Sequence, residues 1–405
     1  MKLFFKILGG IVLLLVLVVG GFAAFVAIDG IPHYKTNPPD LKVEITPERV
    51  ARGKLISHIL CSECHLDNKT GRLTGHRLPD LPPEFGVAYS KNLTHDKDVG
   101  VGGWTDGEIA FLLRTGIRRD GKYTPPWMPK LNRIQDEDIM SIIAFLRSDD
   151  SLVVADPSPD HETEPSFLAK LLCHVAFKPF AYPDHAIPAP DTTDMVKWGH
   201  YLAVEAFDCY ACHSGDFKKM NVQEPEKSYM FFAGGNEMPD LAGTLRVTAN
   251  LTPDNETGIG KWSEADFVKA VREGLRPDGR QLRYPMGKVP ELTESEVKAI
   301  YAYLRTVPAI HHELDRQLAD ISGAALTDGK AIYHKYGCVA CHTETGVGVG
   351  DLTLAKRDFP VDSSLQAWIR NPSSFKPLTK MPSFQGIIKD EEFAPLIAYV
   401  RELGR

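Results

Sequence analysis

The feature that most constrains this chain is a five-residue motif, Cys-x-x-Cys-His, which occurs three times and takes six of its seven cysteines: Cys61/Cys64/His65, Cys209/Cys212/His213 and Cys338/Cys341/His342. Each copy follows a glycine (Gly53, Gly199, Gly329) and a short helical pattern. The first two copies also share what comes after them. Residues 92–147 align without a gap on 250–305 at a constant offset of 158, with 18 of 56 positions identical. Among these are Asn92/Asn250, Asp96/Asp254, Trp104/Trp262, Arg114/Arg272, Gly121/Gly279 and Met128/Met286. A gapless match of that length marks a duplicated unit. The third unit is shorter and diverges after its motif. The sequence therefore predicts small units in a row rather than one large core.

Each unit closes on an amphipathic helix pattern. Ile139, Ile142, Ile143 and Leu146 recur at helical spacing in the first. Val297, Ile300, Tyr301 and Leu304 do so in the second, and Phe393, Leu396, Ile397 and Val400 in the third. Thr293 and Glu296 have the spacing of a capping box. Strand alternation is nearly absent, so the fold class is all-α. The predicted domains cover 45–150, 192–310 and 320–405. A linker over 151–191 carries seven prolines (157, 159, 165, 179, 183, 188 and 190). Within it, 166–180 reads as a short helix with Lys170, His174 and Lys178 on one face. Phe167, Leu171, Leu172 and Val175 lie mostly on the other. Such a helix packs between domains or lies on a membrane surface.

Two cysteines at i and i+3 on a helical turn point to the same side, where both sulfurs can add to the vinyl groups of one haem. The histidine that follows is placed to offer its imidazole to the iron, and this motif is the attachment signature of c-type haem. A tetrahedral zinc site needs a second pair of ligands nearby, and no unit has one. A thioredoxin-like redox pair needs a βαβ setting that is missing. The cofactor reading is three covalently bound haem c groups. The seventh cysteine, Cys173, reads as a buried thiol.

A second axial ligand decides whether such a haem only exchanges electrons or also binds small molecules. Methionine opposite histidine is one of the arrangements that raises the potential. Met128, Met286 and Met381 lie 63, 73 and 39 residues after His65, His213 and His342. All three adjoin proline in loops ahead of the closing helices, where the rings stiffen the backbone. The iron ligands are accordingly His65 with Met128, His213 with Met286, and His342 with Met381. His95, Met230 and Met238 are competing ligands without counterparts in the other units. His33, His58, His76, His161, His185, His311 and His312 read as surface or capping residues. Trp104, Trp262 and Trp368 pack against a haem edge or fill a core. Arg114 and Arg272 are candidates to pair with haem propionates.

Residues 7–28 form an uncharged apolar run behind Lys2 and Lys6, long enough to span the roughly 30 Å hydrocarbon core of a bilayer. A cleaved signal peptide is the competing reading, with a shorter apolar stretch and small residues before the cut. Here Phe22 or Phe25 stands where a small residue is wanted. The anchor reading with the positive-inside bias leaves the chain after Asp29 outside the cytoplasm, on the periplasmic face of a bacterial inner membrane. The formal charge of −7, from 46 basic and 53 acidic residues spread along the chain, argues against a nucleic-acid partner.

With these residues in place, the first two units resemble the tandem domains of the triheme cytochrome c subunits of membrane-bound periplasmic dehydrogenases, such as alcohol, aldehyde or gluconate dehydrogenase. Trp198-Gly199-His200-Tyr201-Leu202, Asn250-Leu251-Thr252-Pro253-Asp254, Tyr284-Pro285-Met286 and Ala302-Tyr303-Leu304 carry the likeness. The third unit resembles a general class I cytochrome c domain through Trp368-Ile369-Arg370-Asn371-Pro372 and Lys380-Met381-Pro382. The resemblance implies an electron relay and not a catalyst. Its donors and acceptors would be a dehydrogenase catalytic subunit, a quinol-oxidising complex, quinone or a terminal oxidase. The chain departs from the family in its anchor at the start and in Pro-Trp-Met-Pro around Met128. A peroxidase with one open haem, and a membrane-bound redox or gas sensor, are the other functional readings.

Overall fold

The computed structural model describes residues 2–67, 69–78, 81–241, 244–316, 325–376 and 379–403. In chain order the α-helices are α1 Lys2–Asp29, α2 Pro47–Leu60, α3 Ser62–His65, α4 Asp106–Thr115, α5 Asp136–Leu146, α6 Phe167–Val175, α7 Met195–His200, α8 Cys209–His213, α9 Glu264–Glu273, α10 Glu294–Leu304, α11 Gly329–Lys335, α12 Val339–His342, α13 Ala355–Asp358, α14 Asp362–Arg370 and α15 Asp390–Leu403. Strands are short. Gly86–Val87 pairs antiparallel with Glu164–Pro165, and Glu237–Pro239 with Leu245–Val247. The architecture is thus mostly helical. The chain divides into two compact units, Met1–Ala189 and Pro190–Arg405.

One packing device recurs three times. The helix ahead of each cysteine motif crosses a closing helix: α2 on α5, α7 on α10 and α11 on α15. At each crossing sits the glycine that opens the repeat. A Cβ on Gly53 would lie 1.8 Å from the Ser141 carbonyl oxygen, and one on Gly199 1.8 Å from that of Ala299. On Gly329 it would lie 2.2 Å from the Pro395 carbonyl oxygen. Backbones that close leave no room for a methyl group. Ser141 and Ala299 are themselves related by the offset of 158.

The closing helices bury the faces that their periodicity predicts. Ile139, Ile142, Ile143 and Leu146 are buried in α5, and Val297, Ile300 and Leu304 in α10, where Tyr301 is half-buried. Phe393, Leu396, Ile397 and Val400 join Ile332, Tyr333, Leu365 and Ile369 in one core around α15. Thr293 and Glu296 form the capping box at the start of α10. The duplicated helices α4 and α9 carry capping boxes too, Thr105 with Glu108 and Ser263 with Asp266. Both end on a left-handed glycine, Gly116 and Gly274.

The segment between the repeats differs from its sequence reading in one respect. Helix α6 buries Ala169 and Cys173 and leaves Phe167, Leu168 and Val175 exposed. His174 turns inward, its ring 5.3 Å from that of Phe25 and its Nε2 donating to the Gly30 carbonyl at 3.1 Å. The helix packs against the end of α1, so its neighbour decides which stripe is covered. The simple split between apolar and polar residues does not.

Candidate haem-binding sites

In all three motifs the two cysteines form no disulfide and lie on a short helical turn, with the histidine at its end. Burial pushes the Cys61 thiol up to about 11 and those of Cys209 and Cys338 up to about 12. Each pair is close enough for its two sulfurs to act on one another electrostatically.

The geometry that repeats most faithfully is at the histidines. His65 Nδ1 donates to the carbonyl of Lys91 at 2.7 Å, His213 Nδ1 to that of Ala249 at 2.9 Å, and His342 Nδ1 to that of Gly350 at 2.9 Å. Lys91 and Ala249 are again 158 apart. A carbonyl can only accept, so the proton is fixed on Nδ1 and the lone pair on Nε2, which is how proteins orient a metal-ligating imidazole. Burial lowers the pKa of all three rings, that of His213 to about 4, and so favours the neutral form that a metal requires.

Backbone capping holds the motifs rigid. The Gly75 N–H donates to the His65 carbonyl at 2.8 Å, and Gly234 N–H to that of His213 at 2.7 Å. Ser90 Oγ donates to the Cys64 carbonyl. Asn236 Nδ2 does the same for Cys212 at 3.2 Å, and Val349 N–H for Cys341 at 2.8 Å. Downstream, Asn92 and Asn250 explain their identity. Each side-chain oxygen accepts from the backbone and hydroxyl of Thr94 or Thr252 at 2.7 to 2.9 Å. Each amide donates to a distant carbonyl, Asp156 at 2.9 Å and Ile310 at 2.8 Å. These two residues lock the loop that presents the Lys91 and Ala249 carbonyls. The identity of Asn92 and Asn250 was visible in the sequence, but their task was not.

The three methionines lie in loops ahead of the closing helices. Met128 is half-buried, and Lys130 Nζ donates to the carbonyls of Pro125 and Met128 at 2.7 Å each. Met286 follows a cis Tyr284–Pro285 bond and is 39% exposed. Met381 packs against the core around α15, with its N–H donating to Thr379 Oγ1 at 3.2 Å. Of the competitors, His95 Nε2 is occupied by the Leu146 carbonyl at 2.5 Å. Met230 sits at a left-handed φ of 53°, and Met238 lies in the strand Glu237–Pro239. His312 Nδ1 donates to the Ala233 carbonyl at 3.1 Å. Trp368 lies at a tilt against Phe359 and edge-on to Phe375.

The propionate reading of Arg114 and Arg272 is not supported. Arg114 is 1% exposed; its guanidinium donates to the carbonyls of Leu131 and Ile134 and pairs with Asp136 at 2.6 Å. Arg272 Nε donates to the Leu292 carbonyl at 2.9 Å, the position equivalent to Ile134. Both serve to tie the methionine-bearing loop to the helix before it. Cys173 is buried, and burial raises its thiol to about 11. Among the described residues, no group of three or more His, Cys, Asp or Glu side chains is placed to hold a bare metal ion.

This donor set suits a haem: paired thiols able to form thioether links and an imidazole with its Nε2 left free. Comparison with known proteins points the same way. Residues 202–308 match the family model described as cytochrome c, and residues 324–400 match that of cytochrome c oxidase, cbb3-type, subunit III. The chain is 28% identical over 328 residues to the fructose dehydrogenase cytochrome subunit of Gluconobacter japonicus, covering 72% of this chain and 63% of that protein. It is 27% identical over 387 residues to the alcohol dehydrogenase (quinone) cytochrome c subunit of Gluconobacter oxydans, covering 87% and 78%. It is also 27% identical over 304 residues to the gluconate 2-dehydrogenase cytochrome c subunit of Pantoea cypripedii, covering 71% and 67%. The chain is a homologue of the cytochrome c subunits of fructose, alcohol and gluconate dehydrogenases, with cytochrome c domains in its sequence.

Proposed function

We propose that the chain is a membrane-anchored electron carrier with three haem c groups, one in each of three tandem domains. It would take electrons from a dehydrogenase catalytic subunit and pass them to quinone or a terminal acceptor. The observation that carries this reading is the threefold Nδ1-to-carbonyl bond beside a cysteine pair that forms no disulfide. Cys61 and Cys64, Cys209 and Cys212, and Cys338 and Cys341 would tether the porphyrins. His65, His213 and His342 would each hold one face of an iron. Met128, Met286 and Met381 are the proposed ligands of the opposite faces.

A bound haem supplies a one-electron couple. The protein's part is to keep each imidazole neutral and oriented, to bury it from water, and to hold the methionine loops stiff. Met286 is the most exposed of the three methionines, and a haem on that side would cover it. Helix α1 is apolar enough to cross a membrane and is almost wholly exposed along its length, which supports an anchor. The dehydrogenase partner is proposed from the fructose, alcohol and gluconate relatives.

Mass analysis of the purified chain tests the reading, with three added haems expected and fewer rejecting it. Reduced protein should show low-spin spectra that carbon monoxide leaves nearly unchanged. Met286→Ala should open one haem to carbon monoxide and lower its potential. An unchanged spectrum in that variant removes Met286 from the ligand set.

A further inference from the structure

Between the loops around Met286 and Met381 lies a concentration of positive charge that nothing above uses. In the second compact unit, the Met381 loop packs on residues 274–291. Pro382 Cβ would lie 3.4 Å from a Cβ on Gly274, Gln281 Nε2 donates to the Ser383 carbonyl, and Lys288 Nζ donates to Ser373 Oγ at 3.0 Å. Lys380 Nζ stands 3.7 Å from Glu291. A cleft along this seam is lined by Arg280, Gln281 and Arg283 on one side and Tyr336 and Ile387 on the other.

Arg276 and Arg280 share the carboxylate of Asp278, at 2.8 and 3.0 Å, and Arg246 takes Asp240 at 2.8 Å. Arg283 and Arg316 have no ion pair or hydrogen bond among the described residues. The Nε atoms of Arg276 and Arg316 are buried without a hydrogen-bond partner. These guanidiniums feel one another: burial and neighbouring arginines depress Arg276 and Arg283 and bring Arg316 down to about 10. Burying like charges together is costly unless an anion joins them.

The cluster also lies close to both neighbouring motifs. A Cβ on Gly337, the residue before Cys338, would meet Arg283 Nε at 3.0 Å. Arg316 is near enough to His213 for its charge to act on that ring. The duplicate repeats the pair, Arg118 with Asp120 at 3.4 Å, but has Pro125 where this copy has Arg283. The extra cation belongs to the copy that abuts the third motif.

We propose that Arg276, Arg283 and Arg316 form a carboxylate-binding site that receives the propionates of the haems tethered at Cys209/Cys212 and Cys338/Cys341. The inference rests on the three-haem reading and adds which side chains set the charge around two of those haems. Each haem brings two carboxylates, the anion chemistry that guanidiniums bind in forked, charge-assisted pairs. Arg276 already holds Asp278, and Arg283 and Arg316 have no such pair among the described residues. The positive charge would also favour the reduced haem and raise both potentials.

The test is a spectroelectrochemical titration of the full chain in detergent, with haem content measured separately by mass. Three haems per chain are the condition for the electron-carrier reading, and potentials alone test the arginines. Arg283→Gln and Arg316→Gln should each lower at least one of the three midpoint potentials. The reduction equilibrium should change on the order of tenfold, a fall of about 59 mV for one electron. Arg283→Lys and Arg316→Lys should stay near wild type, and Lys197→Gln, an exposed charge in the same unit, should move nothing. Glutamine variants that carry three haems at unshifted potentials overturn the proposal. So do lysine variants displaced as far as the glutamine ones. A glutamine variant that loses a haem is read through its lysine counterpart: three haems at wild-type potentials support the site, and loss in both overturns it.

Discussion

Glu392 shows how one residue can organise a core. It is fully buried in α15, and its carboxylate accepts from the Tyr336 hydroxyl, from the Leu326 N–H at 2.9 Å and from Lys335 at 3.0 Å. Burial by itself raises the pKa of this group, but these hydrogen bonds outweigh it and hold the carboxyl down at about 2. A carboxyl depressed on folding contributes stability above its unfolded pKa, about 4.5, and loses it as pH falls from there toward about 2. Thermal unfolding followed across that window should show Glu392→Gln flatter than wild type. At neutral pH, Glu392→Ala should cost about 3–5 kcal/mol, as breaking a buried ion pair does; a loss under about 1 kcal/mol would reject this account. The sequence offered no signal for Glu392, which reads as one of three acids in a helix's first turn. Arg114 and Arg272 were visible as identities, yet the partners they have here, the Leu131, Ile134 and Leu292 carbonyls and Asp136, are brought up by the fold and could not be read from spacing alone.

At the level of elements, the legible features were those that depend on local period or on a steric limit. The closing helices and the cap at Thr293 follow from the spacing of apolar and capping residues. The opening glycines were visible as repeats, and the helix crossings give their reason. Gly199→Ala would drive a methyl into the Ala299 carbonyl, and separating α7 from α10 should cost about 3 kcal/mol, the upper end for over-packing. Chemical denaturation measures it, and a midpoint within experimental error of wild type would mean the crossing is looser than described. Helix α6 was legible as a helix but not in its orientation, because His174 is drawn inward by Phe25 and Gly30, more than 140 residues away. The turn of π-helix at Tyr201–Ala206 between α7 and the second motif had no sequence signature.

For the whole molecule, the apolar helix and the folded units are separable by experiment. Along α1 the side chains of 2–22 are exposed, whereas Val26 is buried and Phe25 touches His174. A chain lacking residues 2–22, exported behind a cleaved signal, should move from the membrane pellet to the soluble fraction with its haem content and spectrum intact. Retention in the pellet would show that another surface holds it there. The division into two units was not legible, since it depends on how the second and third repeats pack and not on linker composition. The acceptors for His65, His213 and His342 are the main-chain oxygens of Lys91, Ala249 and Gly350, a long cation, a methyl group and a hydrogen atom. The sites at Lys91 and Ala249 are therefore free to drift in amino-acid identity across evolutionary time, whereas a Cβ on Gly350 would press on His342 Cε1 at 3.1 Å. A single inserted or deleted residue upstream of any of the three would misaim the imidazole. At Lys91 and Ala249, insertions and deletions rather than point substitutions are what selection must purge.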